Sequence, residues 1–305
     1  METVAFIGLG TMGGIMSRRL LEAGQRVRGF DPNPAAQQRA VGRGAHSADS
    51  PRDAATGADV VVLSLPSPAV VEEVVTGPDG ILASLTPGSV IVDMSTIDPA
   101  TTRRLHARVA DHGSFFLDAP VSGGVMRAES GELTIMVGGE EAALERCRAV
   151  LANLGSNIVR VGESGSGQVV KLCNNMLIAI IVAGLAETLV TGAKAGVDAR
   201  TLADIVRISA GGNWILENHL PLTTLADDYT PRFSLDLLYK DVSLFSETAD
   251  GAGVPVPITA ATEEMLKAAR SRGLGGLDQT VVVKMYEEMA GVRVLGDELS
   301  QDTTT

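Results

Sequence analysis

The chain has 305 residues, of which 45% are hydrophobic, so it is long enough for two domains with proper cores. Its 37 acidic and 25 basic residues give a net charge of −12, which argues against a nucleic-acid partner or an anionic-membrane surface. The two cysteines, without CxxC or Cys/His metal spacing, predict buried, reduced thiols and no metal site. No basic and apolar leader precedes the first predicted strand, so we expect a cytoplasmic protein.

The first predicted element is a strand that runs into a glycine-rich turn, GLGTMG. Gly8 lets the chain turn off the strand, Gly10 lets the backbone approach a pyrophosphate, and Gly13 lets the next helix pack close to the sheet. Thr11 and Met12 begin that helix, whose free N–H groups suit a diphosphate. A lone GxGxxG also occurs in structural loops, but the strand before it and the amphipathic helix after it favour a dinucleotide site.

An acidic residue, Asp31, closes the second predicted strand. A carboxylate at this point accepts hydrogen bonds from both ribose hydroxyls and repels the 2′-phosphate of NADP. The residues that follow, Pro32-Asn33-Pro34, offer no arginine to hold that phosphate. We therefore expect NAD as the cofactor, with NADP less favoured. The alternative is that Asp31 only caps the helix predicted to begin near Pro34.

The first half of the chain alternates short β-rich runs with helical ones. After the first strand, further strands are predicted at Val27–Phe30, Val60–Leu65, Val90–Asp93, Phe115–Asp118, Leu133–Val137 and Ile158–Val161. Continuous apolar runs of this kind suit parallel strands that are buried on both faces. We predict an α/β protein, with a Rossmann-type doubly wound sheet in residues 1–163.

Beyond Gly167 the β signals stop, and a long apolar helix is predicted from about Gln168 to Ala195. Its most apolar stretch, Met176–Leu185, is too short for a bilayer and is flanked by polar residues. We therefore predict a buried core helix and no membrane partner. Residues 164–296 are predicted to form an all-α substrate and oligomerisation domain, and residues 297–305 a flexible tail.

Three loops follow predicted strands at the sheet edge where open α/β sheets bind ligands. Leu65 and Pro66 begin a proline-stiffened segment suited to a wall beside the adenosine half of a dinucleotide, and the hydroxyl of Thr96 suits the nicotinamide ribose. The Ser122-Gly123-Gly124 turn exposes backbone N–H groups, which suit a substrate carboxylate. Each loop alone is typical of an ordinary connection, but their joint position on one edge favours binding.

The strongest catalytic candidate is Lys171. It shares one helix face with Asn174, Asn175 and Ile178, which follow it at i+3, i+4 and i+7. Buried amides need partners, which a substrate can provide, and desolvation in a cleft favours the neutral lysine amine that acid–base catalysis uses. The alternative is that a lysine near the start of a buried helix simply snorkels to water.

Four motifs together resemble the signatures of the β-hydroxyacid dehydrogenase family, which includes 3-hydroxyisobutyrate dehydrogenase and tartronate semialdehyde reductase. The motifs are GLGTMG at 8–13, DAPVSGG at 118–124, GQVVKLCNN at 167–175 and Lys240-Asp241. They occur in the family's order over nearly the whole chain. The resemblance implies an NAD-dependent transfer of hydride between the nicotinamide cofactor and a small 3-hydroxy acid, in a homodimer or homotetramer.

The resemblance also implies a role for individual residues. Lys171 is implied as the general acid and base, and Asn175 as the residue that holds the substrate and orients the lysine. The binding roles fall to Ser122, Gly123 and Gly124 for the substrate carboxylate and to Leu65, Pro66, Thr96 and Lys240 for the cofactor. The chain departs from the pattern at Val70, where members often carry an asparagine shortly after the Leu-Pro pair.

The substrate end of the site has weaker signals. Trp214 stands beside Gly211-Gly212, so it either projects from a loop toward the substrate or packs in a core, and Asn213 and Phe233 are further candidates. Two other functions stay open. One is an imine reductase of related fold, whose members usually lack a lysine at position 171, and the other is a non-catalytic NAD-binding scaffold.

Overall fold

A computed structural model describes residues 3–296 of the chain, so the predicted flexible tail at 297–305 lies outside the described residues. The chain divides into two compact units, Met1–Leu172 and Cys173–Thr305. This division falls inside one 29-residue helix, Ser166–Lys194, rather than between 163 and 164 as predicted. The helix therefore begins in the first unit and ends in the second.

Within residues 3–296, the first unit holds a sheet of nine strands. They are β1 (Thr3–Ile7), β2 (Arg26–Phe30), β3 (His46–Ser47), β4 (Val60–Leu63), β5 (Val90–Asp93), β6 (Phe115–Asp118), β7 (Val121–Ser122), β8 (Thr134–Gly138) and β9 (Asn157–Gly162). Their spatial order is β3-β2-β1-β4-β5-β6-β8-β7, with β9 beside β8. The order 3-2-1-4-5-6, parallel throughout, is that of a doubly wound dinucleotide-binding sheet and confirms the predicted fold class.

The sheet differs from the prediction at its ends. The strands β3 and β7 have two residues each, too few for a periodic signal, and the sequence pattern missed both. Strand β8 runs antiparallel to β6 and β7, although its apolar run suggested a parallel strand, and β9 is parallel to β8. An apolar run indicates that both faces of a strand are buried. This is also true of an antiparallel strand inside a sheet covered on both faces, so the run does not predict strand direction.

Helices cover both faces of this sheet. They are α1 (Thr11–Glu22), α2 (Pro34–Val41), α3 (Pro51–Ala55), α4 (Pro68–Thr76), α5 (Pro99–Asp111), α6 (Gly124–Ser130), α7 (Glu141–Leu151) and the start of α8 (Ser166–Lys194). Alternate residues of β1 enter opposite cores, with Val4 and Phe6 on one face and Ala5 and Ile7 on the other. This double burial explains why the strand sequences are apolar without alternation.

From residue 173 to 296 the second unit is helical, apart from one isolated bridge between Ser234 and Asp278. After α8 its helices are α9 (Ala199–Arg207), α10 (Leu235–Gly251), α11 (Pro257–Ser271) and α12 (Val283–Ala290). Short helical turns lie between α9 and α10 and just before α12. The helical character of this unit agrees with the predicted fold class.

The long helix α8 is apolar on nearly every side. By length and composition alone it is able to cross a membrane, with a mean hydropathy of 2.0, and 39% of its apolar window is buried within the protein. Leu185 and Leu189 belong to the core of the second unit, whereas Leu177 is 55% exposed. Cys173 is also exposed, so the prediction of two buried thiols is wrong for Cys173 and holds for Cys147.

Candidate active site

The glycine loop between β1 and α1 is shaped by close backbone contacts. Gly8 has a φ of +91°, and a Cβ on it would overlap the carbonyl oxygen of Ser64. A Cβ on Gly13 would overlap the carbonyl oxygen of Gly8, so α1 packs directly on the turn. A Cβ on Gly10 would meet no atom within 4 Å, which leaves the outer side of the loop open to a ligand.

The beginning of α1 fits the pyrophosphate of a dinucleotide. Gly10 is its N-cap, no side chain caps the helix, and its first turn holds no acidic residue. Thr11 is exposed and Met12 is half-buried. The first-turn N–H groups, at the positive end of the helix dipole, therefore face an open approach over Gly10.

The carboxylate of Asp31 lies beside this loop. Its Oδ2 accepts a hydrogen bond of 2.7 Å from the N–H of Leu9, and its Oδ1 accepts one of 2.8 Å from the N–H of Asn33. Helix α2 is capped by Asn33, whose Oδ1 accepts from the N–H of Ala35 at 3.0 Å. The alternative that Asp31 caps this helix is therefore wrong, because Asn33 is the N-cap, and the carboxylate of Asp31 is bonded to the glycine loop instead.

The loops after β4 and β5 are tied together. The N–H of Leu65 donates to Ser95 Oγ at 2.9 Å, and the N–H of Ser95 donates to Asp93 Oδ1 at 3.0 Å. Pro66 is exposed, and Leu65 and Thr96 are half-buried. The structure thus brings these predicted cofactor residues to one edge of the sheet. At the departure from the family pattern, Val70 is 37% exposed on α4.

The turn at residues 122–124 links β7 to α6. Gly123 has a φ of +131° and Gly124 a φ of +63°, conformations that favour glycine. Ser122 is half-buried and Gly124 is exposed, so the turn is open to solvent. A Cβ on Gly123 would lie 2.7 Å from Arg127 Cβ, which shows that the arginine stem folds over this glycine.

A buried carboxylate, Asp118, anchors the first turn of α8. It is 0% exposed, and its two oxygens accept hydrogen bonds from the N–H groups of Gly165 at 2.8 Å and Gln168 at 3.0 Å. Burial raises the pKa of Asp118, and these backbone donors oppose that rise. A Cβ on Gly167 would lie 2.8 Å from Asp118 Oδ2, so the approach requires glycine.

Lys171 follows this anchor by one helical turn. It is 9% exposed, and among residues 3–296 it is the one lysine in the buried class. Burying an ammonium group costs free energy unless its surroundings compensate for it. The low exposure of Lys171 therefore favours a role in the site over the alternative of a lysine that only snorkels to water.

In the second unit the polar residues of α8 and α10 form a chain of contacts. Asn174 Nδ2 donates to Asn175 Oδ1 at 3.0 Å, and Asn175 Nδ2 donates to Asp241 Oδ2 at 2.5 Å. Lys240 Nζ lies 3.1 Å from Asp241 Oδ1. Asn175 is 1% exposed and Asp241 is 2% exposed, so the amide orientation of Asn175 is set by a buried carboxylate.

The candidates for the substrate end are placed differently. Trp214 is 52% exposed, so the alternative that it packs in a core is wrong. Asn213 Oδ1 accepts from the N–H of Leu216 at 3.0 Å and caps the turn after it. Phe233 is partly buried against the core formed by α8, α10 and α11.

No role was predicted from the sequence for Asp118, Gln168 or Asp241, although all three lie within the motifs. Their roles depend on partners far along the chain. A glutamine one turn before the lysine on an otherwise apolar helix was the available signal for Gln168. Within residues 3–296 no three His, Cys, Asp or Glu side chains come together as a metal site.

Two family models match the chain in succession. Residues 3–162 match the model described as the NAD binding domain of 6-phosphogluconate dehydrogenase. Residues 165–286 match the model described as NAD-binding of NADP-dependent 3-hydroxyisobutyrate dehydrogenase.

Similar proteins cover nearly the whole chain. A 2-(hydroxymethyl)glutarate dehydrogenase of Eubacterium barkeri is 38% identical over 97% of this chain and 98% of its own. A 3-hydroxyisobutyrate dehydrogenase of Pseudomonas aeruginosa is 40% identical over 94% of this chain and 99% of its own. The solved 3-hydroxyisobutyrate dehydrogenase of Mycobacterium tuberculosis with L-serine has a TM-score of 0.87 at 35% identity and covers 94% of this chain and 99% of that one.

An imine reductase is similar in fold alone. The solved enzyme of Myxococcus stipitatus with NAD+ has a TM-score of 0.65 at 19% identity and covers 94% of this chain and 99% of that one.

Proposed function

Because the chain belongs to the β-hydroxyacid dehydrogenase family, we propose that it transfers hydride between NAD and a small 3-hydroxy acid of the 3-hydroxyisobutyrate type, with Lys171 as general acid and base. The observation that carries the proposal is the buried position of Lys171, one turn beyond the Asp118 anchor at the sheet edge that holds the glycine loop. A polar, water-poor setting of this kind suits proton transfer.

Different residues of the chain carry out different parts of the proposed reaction. NAD, held by the glycine loop and Asp31, would supply hydride transfer to and from the carbon that carries the hydroxyl group. The neutral amine of Lys171 takes the hydroxyl proton in oxidation, and its ammonium form returns a proton to the carbonyl oxygen in reduction. The N–H groups of the Ser122–Gly124 turn hold the substrate carboxylate, and Asn175, oriented by Asp241, holds the substrate hydroxyl.

NAD is the preferred cofactor in this proposal because of Asp31. Its carboxylate lies within hydrogen-bond distance of the glycine loop, where the 2′-phosphate of NADP would place a second negative charge. The fit of the loop to a dinucleotide rests on the uncapped start of α1 and the open space at Gly10.

The enzyme is further proposed to be a homo-oligomer. Exposed apolar residues on the second unit support this, among them Leu177 of α8 at 55% and Ile208 at 76%. Light scattering on the purified chain measures its mass in solution, and a monomer at assay concentration contradicts the proposal.

The substrate class is tested by initial rates of NAD and NADP reduction at alkaline pH. The panel contains 3-hydroxyisobutyrate, L-serine and 2-(hydroxymethyl)glutarate, the compounds named for the similar proteins. We expect turnover with NAD on at least one of them. Silence across the panel with NAD binding retained in calorimetry contradicts the proposal and favours imine reduction or a non-catalytic scaffold.

The role of Lys171 is tested with a matched pair on one helix. Lys171→Ala is expected to lower kcat about 1,000-fold with NAD binding retained, because general acid–base groups contribute about 100- to 10,000-fold. Lys194→Ala, an exposed lysine at the end of α8, is the control and should keep the wild-type rate. Equal rates for the two variants would remove Lys171 from the mechanism.

A further inference from the structure

Gln168 holds a segment of backbone with both ends of its side-chain amide. Its Oε1 accepts a hydrogen bond of 3.1 Å from the N–H of Ile97, and its Nε2 donates one of 2.9 Å to the carbonyl oxygen of Ser95. The residue is 0% exposed. Both partners flank Thr96, so one amide fixes the two sides of the residue that is predicted to face the nicotinamide ribose.

The same residue is held on its own main chain. Its N–H donates to Asp118 Oδ2 at 3.0 Å, and Asp118 Oδ1 accepts from the N–H of Gly165 at 2.8 Å. A Cβ on Gly167 would overlap the carbonyl oxygen of Met136, so the first turn of α8 also packs against β8 without space for a side chain. This turn therefore has little freedom to shift or rotate.

The segment that Gln168 holds is tied in turn to the loop after β4. Ser95 Oγ accepts from the N–H of Leu65 at 2.9 Å, and Asp93 Oδ1 accepts from the N–H of Ser95 at 3.0 Å. Hydrogen bonds thus run without a break from the proposed cofactor wall through Ser95 to the helix of Lys171. All of these atoms belong to the first unit.

An apolar side chain would fill the same space but leave the N–H of Ile97 and the carbonyl oxygen of Ser95 without this partner. Burying an amide costs free energy unless both its donor and its acceptor are paired, and Gln168 achieves that pairing only in one orientation. Besides filling space, the two directional hydrogen bonds therefore fix the position of the α8 turn relative to Thr96. Lys171 lies three residues further, on the next turn of the same helix.

We propose that Gln168 is a positioning residue for hydride transfer, which sets the placement of Lys171 relative to the cofactor loop at Thr96. This inference rests on the proposed function, because it presumes that Lys171 moves the substrate proton. A misplacement of about 1 Å costs on the order of 100-fold in rate, so a small shift of this turn has a measurable effect.

The test compares Gln168→Met with Ser89→Ala in the full-length enzyme. The methionine keeps the length of the side chain and loses both hydrogen bonds. The control loses a buried hydrogen bond of 3.1 Å from Ser89 Oγ to the carbonyl oxygen of Ala58, at the opposite end of the parallel strands. For each variant we would measure Tm, the Kd of NADH, the KM and kcat for the hydroxy acid, and the pH profile of kcat, which reports the enzyme–substrate complex.

For Gln168→Met we expect kcat to fall at least 30-fold, the Kd of NADH to stay within threefold and the midpoint of the pH profile to shift, because the lysine no longer meets the substrate oxygen in the same geometry. Ser89→Ala should also lower Tm, by less because it loses one hydrogen bond rather than two, and keep kcat and the pH profile. If the methionine variant does not fold, Gln168→Glu keeps an acceptor for the Ile97 N–H and is judged by the same split.

Three results overturn the inference. One is a Gln168 variant with wild-type kcat and pH profile in an enzyme that turns over a 3-hydroxy acid, which leaves the proposed function intact. Another is an equal loss of kcat in Ser89→Ala, which makes the effect one of general stability. The third is a wild-type enzyme without turnover on any 3-hydroxy acid, which removes the proposed function together with the inference.

Discussion

The two units place their polar residues by different means. In the first unit, Asp118 and Gln168 bond to main-chain atoms at the ends of strands and at the start of α8. In the second unit, Asn175 is oriented by the side chain of Asp241, and Asp278 adds a side-chain partner, His219 at 2.9 Å, to its main-chain donors. A sheet fixes main-chain partners, whereas side-chain partners depend on how separate segments pack.

The difference indicates where each unit is vulnerable. Main-chain partners remain when a nearby side chain changes, so the first unit should be most sensitive where a new side chain collides with its backbone. A buried side-chain pair fails when either member changes, because the other is left unpaired away from water. The predictions below test this contrast, from the largest expected effect to the smallest.

The largest effect is expected for Gly13→Ala in the first unit. The new Cβ would overlap the carbonyl oxygen of Gly8, so α1 must move away from the turn. We expect the free energy of unfolding to fall by about 3 kcal/mol, as for severe overpacking, and NAD binding to be lost. Chemical denaturation and calorimetry with NAD measure the two effects.

Gly10→Ala is the matched control for this prediction. Its Cβ would meet no atom within 4 Å, so the loss of stability should be limited to about 1 kcal/mol, the cost of alanine at the N-cap position of α1. NAD should nevertheless bind more weakly, because the methyl group occupies the side from which the pyrophosphate approaches. If Gly13→Ala and Gly10→Ala were equally stable, the packing of α1 would not depend on the close contact between Gly13 and the carbonyl oxygen of Gly8.

The next effect is expected for Asp278→Asn in the second unit. Asp278 is 0% exposed, and besides His219 it accepts hydrogen bonds from the N–H groups of Arg232 at 3.0 Å and Thr280 at 3.1 Å. Burial alone raises the pKa of Asp278, but the bond and charge of His219 and these backbone donors outweigh burial and lower it. The asparagine variant should lose about 2 kcal/mol of stability at neutral pH.

The lowered pKa of Asp278 also fixes the pH dependence of that loss. A carboxylate whose pKa is lower in the folded state stabilises the protein above its unfolded pKa of about 4, and this contribution disappears as the pH falls through the folded value. The stability difference between wild type and Asp278→Asn should therefore be largest near neutral pH and shrink below about pH 4. A difference that stays constant from neutral to acid pH would exclude the ionised carboxylate of Asp278 as its source.

The sequence predicted the features of the first unit whose causes are local. Three or four apolar residues in a row mark β1, β4 and β5, and the glycines of one turn mark the dinucleotide loop. Because the carboxyl ends of neighbouring parallel strands meet at one edge, the sequence predicted that Leu65 and Thr96 lie at the same edge of the sheet. The two-residue strands β3 and β7 carry no such local signal.

The features that the sequence did not predict depend on partners far along the chain, or on which of several equally apolar faces of a helix is buried. Asp241 lies 66 residues from Asn175 and Asp278 lies 59 residues from His219, and no local pattern joins either pair. Helix α8 is apolar on nearly every side, so its sequence does not distinguish the buried face from the one that exposes Cys173. Tertiary packing determines both the long-range partners and the buried face of α8.

The smallest effect is expected at the junction of β2 and α2, where one variant affects the fold and its neighbour the cofactor. Asn33→Ala removes the N-cap of α2, which should lower stability by about 1 kcal/mol. The backbone N–H of residue 33 still donates to Asp31, so the ratio of kcat/KM for NAD over NADP should not change.

Asp31→Ala should show the opposite behaviour. It keeps the helix cap at Asn33 and removes the carboxylate that we propose discriminates against a 2′-phosphate, so the proposed preference for NAD should fall at least tenfold, which corresponds to about 1.4 kcal/mol. Thermal unfolding and initial rates with both cofactors, run on the two variants side by side, separate these roles. If Asn33→Ala moves the cofactor ratio as far as Asp31→Ala does, then the carboxylate acts through the folding of this junction, and the contrast between main-chain and side-chain placement does not hold at the cofactor site.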